Sequence, residues 1–296
     1  MPEIKTVLVT GSNGQLGRSL TKIATQYENY DITFATRADL DLSDAKSICR
    51  FFQQQQFDLI INCAAYTAVD KAESETELAD QINHLAVQQL AEIAAQQHSK
   101  LIHISTDYVF NGHQHRPYVE TDDVAPQGVY GLTKLKGEHA VLRIMANNAV
   151  IIRTSWVYSE FGNNFVKTML RLAGDRDSLK VIFDQVGTPT YATDLAQAIM
   201  TIVQSAAFQQ EFSSDTVHYS NEGVCSWYDF AKTIFELSEI ACDVSPIETK
   251  DYPTPATRPH YSLLNKAKIK QSYNLAIPYW KESLQQCLNA LQEEVK

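Results

Sequence analysis

The stretch TVLVTGSNGQLGRSL, residues 6–20, decides the fold. Its first five residues are apolar or β-branched, which predicts a buried strand, and apolar positions at helical spacing follow them. Gly11, Gly14 and Gly17 connect the two elements. Glycine permits a tight turn, lets backbone N–H groups approach a pyrophosphate and lets a helix pack closely on its strand. The succession therefore predicts a dinucleotide-binding turn, with the pyrophosphate at the helix N-terminus.

The rest of the first half continues this alternation of strand and helix. Short apolar runs predict further buried strands at residues 31–36, 58–64, 100–106 and 149–155. Segments with helical apolar spacing lie between them, the longest of which predicts one helix over 77–97. This order predicts an α/β fold with right-handed crossovers and a Rossmann-type doubly wound parallel sheet, whose ligands bind at the carboxyl ends of the strands.

The alternation loosens after residue 155. Amphipathic helical patterns continue, a strand is predicted at 217–220, and a loop with three prolines spans 251–262. We therefore predict an NAD(P)-binding Rossmann domain at residues 1–155, to which the strand near 217–220 is added, and a smaller mixed α/β substrate-binding domain at residues 156–296.

The composition is that of an ordinary globular protein, with 44% hydrophobic and 20% charged residues. A formal net charge of −10 argues against nucleic-acid and anionic-membrane partners, because a phosphate surface requires a basic face. The five cysteines are widely spaced and form no C-x-x-C pair, which favours a reducing compartment and no zinc site. Since there is neither a signal-peptide pattern nor an apolar run of about 20 residues, we expect a cytoplasmic protein that does not associate with membranes.

The end of the second predicted strand carries information on the cofactor. An acidic residue about 20 positions after the glycines binds the ribose 2′-hydroxyl of NAD, whereas an arginine suits the 2′-phosphate of NADP. Here Thr36 and Arg37 occupy that place, and acids follow only at Asp39 and Asp41. Arg37 therefore favours NADPH, while use of both NADPH and NADH stays open.

A candidate catalytic set lies in VYGLTKLKGE, residues 129–138, and at the end of the fourth predicted strand. Tyr130 and Lys134 are one helical turn apart, so we expect the ammonium to lower the pKa of the phenol from about 10 toward neutrality. The strand delivers Thr106 and Asp107 to the edge where the glycine loop lies. A hydroxyl there can bond a substrate carbonyl while the phenol gives it a proton. Thr106, Tyr130 and Lys134 are therefore the candidate catalytic residues.

The glycine fingerprint together with Tyr130 and Lys134 resembles the extended short-chain dehydrogenase/reductase superfamily. Within it, the chain is most similar to the dTDP-4-dehydrorhamnose reductases, over stretches that run from residue 11 to residue 265. Besides VYGLTKLKGE, these stretches are NCAAYTAVDKAE (62–73), STDYVFNG (105–112), RTSWVYSEFGNNFVKTML (153–170), DQVGTPT (184–190) and YPTPATRPHYSLLN (252–265).

The resemblance implies an NAD(P)H-dependent reduction of the C4 keto group of dTDP-4-dehydro-6-deoxy-L-mannose, which gives dTDP-L-rhamnose in the last step of that sugar's synthesis. Tyr130 would protonate the alkoxide, Lys134 would also hold the nicotinamide ribose, and Thr106 would orient the keto group.

The motifs and the resemblance together predict two sets of contacts. The cofactor residues are Gly11, Asn13, Gly14, Gln15, Leu16, Gly17, Arg37, Asp41, Leu42, Ala64, Ala65, Tyr66, Tyr130 and Lys134. The substrate residues are Thr106, Asp107, Trp156 and Arg258. Core packing is the alternative role for Trp156, and Arg258 is the candidate for a bidentate diphosphate contact.

One part of the resemblance is missing. Some similar reductases are Mg²⁺-dependent dimers held by carboxylates on the first helix and just after the GTPT-like segment. Arg18, Ser19 and Thr193 stand at those positions here. We therefore expect activity without Mg²⁺ and no metal site, and the formation of a homodimer stays undecided.

Other functions on the same scaffold remain as alternatives. A sugar-nucleotide 4,6-dehydratase would carry a glutamate where this chain has Tyr108. Another nucleotide-sugar reductase or an epimerase of the superfamily stays open. A non-catalytic NADP-binding regulatory subunit is a further alternative, although such a protein has no physical need for the intact Thr106, Tyr130 and Lys134.

Overall fold

The computed structural model describes residues 4–293, which form a six-stranded central sheet and three small two-stranded sheets. The strands are β1 (Thr6–Thr10), β2 (Asp31–Ala35), β3 (Leu59–Asn62), β4 (Lys100–Thr106), β5 (Ala149–Thr154), β6 (Val157–Tyr158), β7 (Ser178–Ile182), β8 (Val186–Gly187), β9 (Thr190–Tyr191), β10 (Asp215–His218), β11 (Cys225–Ser226) and β12 (Asp243–Ile247). The helices are α1 (Gln15–Ile23), α2 (Ala45–Gln53), α3 (Val69–Ala72), α4 (Thr76–Asp80), α5 (Ala86–Gln97), α6 (Val129–Ile144), α7 (Phe165–Asp175), α8 (Ala192–Gln204), α9 (Ala206–Gln209), α10 (Trp227–Leu237), α11 (Ala267–Tyr273) and α12 (Trp280–Glu293).

The central sheet is parallel throughout, with the spatial order β2-β1-β3-β4-β5-β10. The strand order reverses between β1 and β3, so the loops that follow these strands diverge and leave a crevice at the carboxyl edge. The five strands predicted in the first half form within two residues of their expected ends. The strand predicted at 217–220 forms at Asp215–His218 and pairs with β5 at the edge of the sheet. The prediction of a Rossmann-type sheet is confirmed.

Helices cover both faces of this sheet. Val7 and Val9 of β1 face a cluster that includes α1 and α8, whereas Leu8 faces a cluster that includes α2, α5 and α6. All three side chains are almost fully buried. This alternation with period two is that of a strand buried on both faces, which is why its sequence is continuously apolar. Helix α8 comes from the second half of the chain, yet it packs on the sheet beside α1.

A separate hydrophobic cluster forms from residues 156 onward. It joins α7, α10 and α12 around Phe230, Leu284 and Trp280, and the short strands β7 and β12 pair in parallel beside it. This layer lies next to the carboxyl edge of the central sheet, because β6 begins three residues after β5 ends. In the described part of the chain, no helix is both long and apolar enough to cross a bilayer.

The helix predicted at 77–97 is interrupted by a π-helical turn at Gln81–Leu85, which joins α4 to α5. Asn83 in this turn accepts a hydrogen bond from the backbone N–H of Tyr66 (2.9 Å) and donates to the Tyr66 carbonyl (3.1 Å) and to Thr133 Oγ1 (3.2 Å). A π turn re-aims side chains within a helix. Here it anchors the loop after β3 against α6 and brings Ile82 into the crevice.

Candidate active site

A cavity of about 690 Å³ lies at the carboxyl ends of β1, β3, β4 and β5. Its volume is within the range of pockets that hold small molecules and cofactors. The predicted residues that line it are Gly11, Asn13, Gly14, Gln15, Leu16, Arg37, Asp41, Leu42, Ala64, Ala65, Thr106, Asp107, Tyr130, Lys134 and Trp156. The cofactor and substrate residues predicted from separate parts of the sequence are therefore brought together in one cavity.

The glycine loop is shaped by two close backbone approaches. Gly11 has a φ of +65°, and a Cβ at this position would lie 2.7 Å from Ala64 Cα. Gly17 does not line the cavity and lies beneath the turn. A Cβ at this position would collide with the Gly11 carbonyl and with Ser12. The role of Gly17 is to let α1 pack against the loop. Gly14 is the N-cap of α1, so the positive end of the helix faces the cavity.

Gln15 links the glycine loop to the segment 157–164. Its Oε1 accepts hydrogen bonds from Ser159 Oγ and from Asn164 Nδ2, each 3.0 Å long, and its Nε2 donates to the Val157 carbonyl (3.2 Å). Gln15 is one of the predicted cofactor residues, and its protein partners have no signal in the sequence. Gly162, Asn163 and Asn164 of this segment also line the cavity.

Arg37 lines the cavity beside Asp41 and Ser43, with 73% of its side chain exposed. It contacts Asp41 (3.4 Å) and Ser43 (3.4 Å). Asp39 faces away, because its carboxylate accepts hydrogen bonds from the backbone N–H (2.9 Å) and the hydroxyl (2.7 Å) of Thr36. At this part of the cavity, Arg37 therefore presents an exposed guanidinium, whereas Asp39 presents no carboxylate.

The structure corrects the expectation for the Tyr130 pKa. Burial raises this pKa to about 12, and a hydrogen bond with Thr106 only partly opposes the rise. The amine of Lys134 does not face the phenol: it donates to the Ile104 carbonyl (2.6 Å) and lies 3.4 Å from His103 Nε2. The predicted lowering of the Tyr130 pKa is wrong for this arrangement, and the phenol keeps its proton at neutral pH.

Lys134 itself is almost completely buried on α6. Burial lowers its pKa to about 8, while the charge of Glu138 acts in the opposite direction. A pKa near the working pH lets an amine exchange protons readily. The amine of Lys134, which lines the cavity, can therefore be charged or neutral close to pH 8.

Asp107 is also buried beside the candidate acid. Burial raises its pKa to about 6, against hydrogen bonds from Thr106 and Ser262. Thr106 Oγ1 lies 3.0 Å from Asp107 Oδ1. The carboxyl can therefore be present in either protonation state close to neutral pH.

This shift leads to a prediction on stability. An unfolded aspartate has a pKa of about 3.9, so between about pH 4 and about pH 6 the native state binds more protons and the free energy of unfolding falls as pH rises. Between about pH 4 and about pH 6, we expect the free energy of unfolding of Asp107→Asn to rise relative to that of the wild type. Above about pH 6 this difference should stay constant. Urea unfolding of both proteins at a series of pH values measures it. A difference that is the same at all pH values would contradict the prediction.

Trp156 lies at the border of the two layers. Its backbone has a φ of +48°, an uncommon conformation for a residue other than glycine. Its indole stacks on Trp227, with centroids 3.6 Å apart and planes at 11°, and it lines the cavity. Packing and cavity lining, which the sequence analysis treated as alternatives, are thus combined in one side chain.

Two predicted ligand contacts have protein partners and do not line the cavity. Arg258 makes a bidentate ion pair with Asp70, at 3.0 and 2.7 Å, which ties the loop at 251–262 to α3. The Tyr66 hydroxyl donates to Glu75 (2.7 Å). The contacts of Arg258 and Tyr66 with ligands stay predictions. Within residues 4–293, no group of three or more His, Cys, Asp and Glu side chains is arranged to hold a metal ion.

The sequence analysis missed a buried ion pair under the site. Arg153 on β5 binds Glu138 on α6, with Nη2–Oε2 at 2.6 Å, and Ser105 Oγ donates to Glu138 Oε1 at 2.5 Å. Both charged side chains are at most 6% exposed. The one sequence signal for this ion pair was the position of Glu138, one turn after Lys134. Its partner Arg153 lies 15 residues later, and no local pattern connects the two.

Known proteins resemble this chain over nearly its whole length. A family model described as the RmlD substrate binding domain matches residues 5–293. A dTDP-4-dehydrorhamnose reductase of Aggregatibacter actinomycetemcomitans is 40% identical over 94% of this chain and 96% of its own, and one of Escherichia coli strain K12 is 40% identical over 96% and 97%. The crystal structure of a dTDP-4-dehydrorhamnose reductase of Bacillus anthracis in complex with NADP has a TM-score of 0.90, 37% identity and coverage of 97% of this chain and 99% of its own.

Proposed function

Because the chain belongs to the family of the RmlD substrate binding domain, we propose that it catalyses the reduction of dTDP-4-dehydro-6-deoxy-L-mannose at C4 to dTDP-L-rhamnose. This is the reaction for which its reductase relatives are named. The observation that carries the proposal is the position of a protonated Tyr130, bonded to Thr106, in the same cavity as the glycine loop. We infer that the dinucleotide and the keto sugar share this cavity.

The residues present fit a nicotinamide cofactor. Gly11 lets the turn after β1 lie against Ala64 at the cavity wall, where a Cβ would collide, α1 points its N-terminus into the cavity, and Arg37 presents a guanidinium at the far end. When bound, the cofactor supplies the hydride that reduces the C4 carbonyl. These three features support binding through the pyrophosphate and the 2′-phosphate.

The chemistry of the chain's own residues favours reduction. As the C4 oxygen gains charge, Tyr130 transfers its phenolic proton to that oxygen, while the Thr106 hydroxyl donates a hydrogen bond that holds it in place. A raised pKa suits this role, because the phenol must be protonated when the ketone is reduced. Lys134 lies one turn away on α6, and burial lowers its pKa to about 8, so its amine can take up a proton near the working pH and would be the residue that returns one to Tyr130.

The substrate side of the cavity supports a nucleotide sugar. Asp107 and Trp156 line it, and Arg258 stands beyond it on the loop at 251–262. We assign Asp107 and Trp156 to the sugar and Arg258 to the diphosphate. Arg258 would exchange one carboxylate partner, Asp70, for phosphate oxygens of similar geometry.

We expect NADPH to be preferred over NADH because of Arg37. Arg37→Ser removes a charge-assisted contact to the 2′-phosphate, which corresponds to a loss of about 10- to 100-fold in kcat/KM for NADPH and little change for NADH. Steady-state kinetics with both cofactors measure the ratio. Arg50→Ser, which removes an exposed arginine of α2 that does not line the cavity, is the matched control. An equal loss with both cofactors would contradict the assignment.

The reaction itself is tested with purified protein, dTDP-4-dehydro-6-deoxy-L-mannose and NADPH, by following the loss of reduced-nicotinamide absorbance. One arm contains EDTA and one contains Mg²⁺, because metal-independent activity is part of the proposal. Formation of dTDP-L-rhamnose in both arms supports it. NADPH binding without turnover in either arm would favour the regulatory-subunit alternative or a different keto sugar, and release of an epimerised sugar without net oxidation of NADPH would favour an epimerase. We also place the reaction in the cytoplasm.

A further inference from the structure

A row of buried polar side chains crosses the sheet directly beneath the cavity. Thr10, Asn62 and His103 are in-register neighbours on β1, β3 and β4, so their side chains point to the same face. Each is at most 1% exposed. The row ends at Lys134, whose Nζ lies 3.4 Å from His103 Nε2.

The hydrogen bonds along this row fix where its protons lie. The backbone N–H of Ala64 donates to Thr10 Oγ1 (3.4 Å), and the Thr10 hydroxyl donates to Asn62 Oδ1 (2.7 Å). The nitrogen of the Asn62 amide therefore faces His103 Nδ1, at 3.0 Å. An amide nitrogen can only donate, so Nδ1 accepts and the proton of the neutral imidazole sits on Nε2.

This tautomer constrains Lys134. The Nε2–H group of His103 points at Nζ, and an ammonium has no lone pair with which to accept a hydrogen bond. A neutral amine can accept from Nε2–H while it donates to the Ile104 carbonyl (2.6 Å). The charged amine would leave two donors facing each other in a buried place, which is costly.

We propose that His103, oriented by Asn62 and Thr10, is a positioning residue that donates a hydrogen bond to Lys134 and favours its neutral amine. The proposal rests on the proposed function for its meaning, because a neutral Lys134 can take up a proton and return it to the phenol of Tyr130. Tyr130 and Lys134 thus have different roles. Tyr130 is protonated at neutral pH, whereas Lys134 can take up and release a proton near pH 8.

The other charged or titratable groups around Lys134 act against this effect or are remote from the amine. Glu138 lies one turn further on α6 and favours the ammonium, whereas burial raises the pKa of the Cys63 thiol after β3 to about 12, so that this thiol stays uncharged. Glu138 is already paired with Arg153. Tyr130, one turn before Lys134 on α6, is bonded to Thr106. His103 is thus the group on β4 that faces the amine as a donor.

Lysine side-chain NMR tests the proposal without any assay of turnover. The chemical shifts of the Cε signals of ¹³C-labelled lysines are followed as a function of pH. The signal of Lys134 is assigned as the one that is absent from the spectrum of Lys134→Met. We expect a midpoint of about 8 in the wild type and a midpoint about one pH unit higher in His103→Gln, whose amide oxygen can face the ammonium. His218→Gln is the matched control, since it removes another fully buried histidine whose Nδ1 lies 3.1 Å from the Tyr118 carbonyl.

A second variant covers the case in which His103→Gln does not fold. In Asn62→Asp a carboxylate accepts from Nδ1–H, so the imidazole proton leaves Nε2, and ¹⁵N spectra of labelled histidine report the change of tautomer. The expected wild-type form is Nε2–H. An Nδ1–H tautomer in the wild type, or a Lys134 midpoint that His103→Gln leaves unchanged, would overturn the proposal. Absence of sugar reduction in the wild type would refute the proposed function alone, because neither NMR experiment depends on turnover.

Discussion

Replacement of Tyr130 by phenylalanine lowers kcat for sugar reduction by about 10²- to 10⁴-fold, the usual contribution of a general acid. The expectation follows from the site: Tyr130 keeps its proton at neutral pH, and Thr106 orients the hydroxyl in the cavity. Loss of the oxygen leaves water as the proton source for the developing alkoxide. Steady-state kinetics with NADPH and the keto sugar measure the loss.

The binding of cofactor separates a chemical defect from a structural one. NADPH fluorescence titration of Tyr130→Phe should give a Kd within a few-fold of the wild type, because only the contact of the Tyr130 hydroxyl is lost while the glycine loop and Arg37 remain intact. Tyr158→Phe is the matched control: it removes a buried phenolic oxygen that has no hydrogen-bond partner in the described structure and does not line the cavity. Turnover by Tyr130→Phe within a few-fold of this control would reject Tyr130 as the acid.

Replacement of Glu138 by glutamine destabilises the protein by about 3–5 kcal/mol, a large share of the roughly 5–15 kcal/mol typical of folded proteins. Glu138 is 1% exposed and receives three hydrogen bonds from Nε and Nη2 of Arg153 and one from Ser105. Glutamine has a similar shape but no charge, so the guanidinium of Arg153 stays buried without a counter-charge. Urea unfolding measured by circular dichroism gives the difference.

An exposed pair provides the comparison. Glu236 and Lys281 form an ion pair in which their side chains are 66% and 39% exposed. Glu236→Gln breaks this pair and should lower the free energy of unfolding by at most about 1 kcal/mol. The double variant Glu138→Leu with Arg153→Met removes both buried charges and should recover most of the stability lost by Glu138→Gln. If Glu138→Gln costs no more than Glu236→Gln, the ion pair does not hold α6 against β5.

Local patterns predicted the strands and the glycine turn well. Runs such as TVLVT and KLIHIST carry the continuous apolar pattern that a strand buried on both faces requires, and they form β1 and β4 with the expected ends. The helix predicted over 77–97 shows the limit of such patterns. In its π turn Asn83 accepts a hydrogen bond from the Tyr66 N–H and donates to the Tyr66 carbonyl and to Thr133, and these contacts have no signature in the helix itself.

The side-chain partners in the site were predicted less well. Helical spacing correctly places Tyr130 and Lys134 on one face of α6, but it does not decide which way a flexible amine turns. Lys134 finds the Ile104 carbonyl on β4 instead of the phenol. Arg258 likewise pairs with Asp70, 188 residues away in the sequence, although the motif pointed to phosphate.

The sequence by itself determined the parallel sheet, the glycine loop and the set of residues at the carboxyl edge, because these depend on local periodicity and on the direction in which βαβ units wind. Only the tertiary structure decided the protonation states of Tyr130, Asp107 and Lys134 and the partners that hold them. A pKa depends on how far a group is removed from water and on which donors and charges face it. In this protein those donors and charges come from β4, α6 and the loop at 251–262, which meet at the site only after the chain has folded.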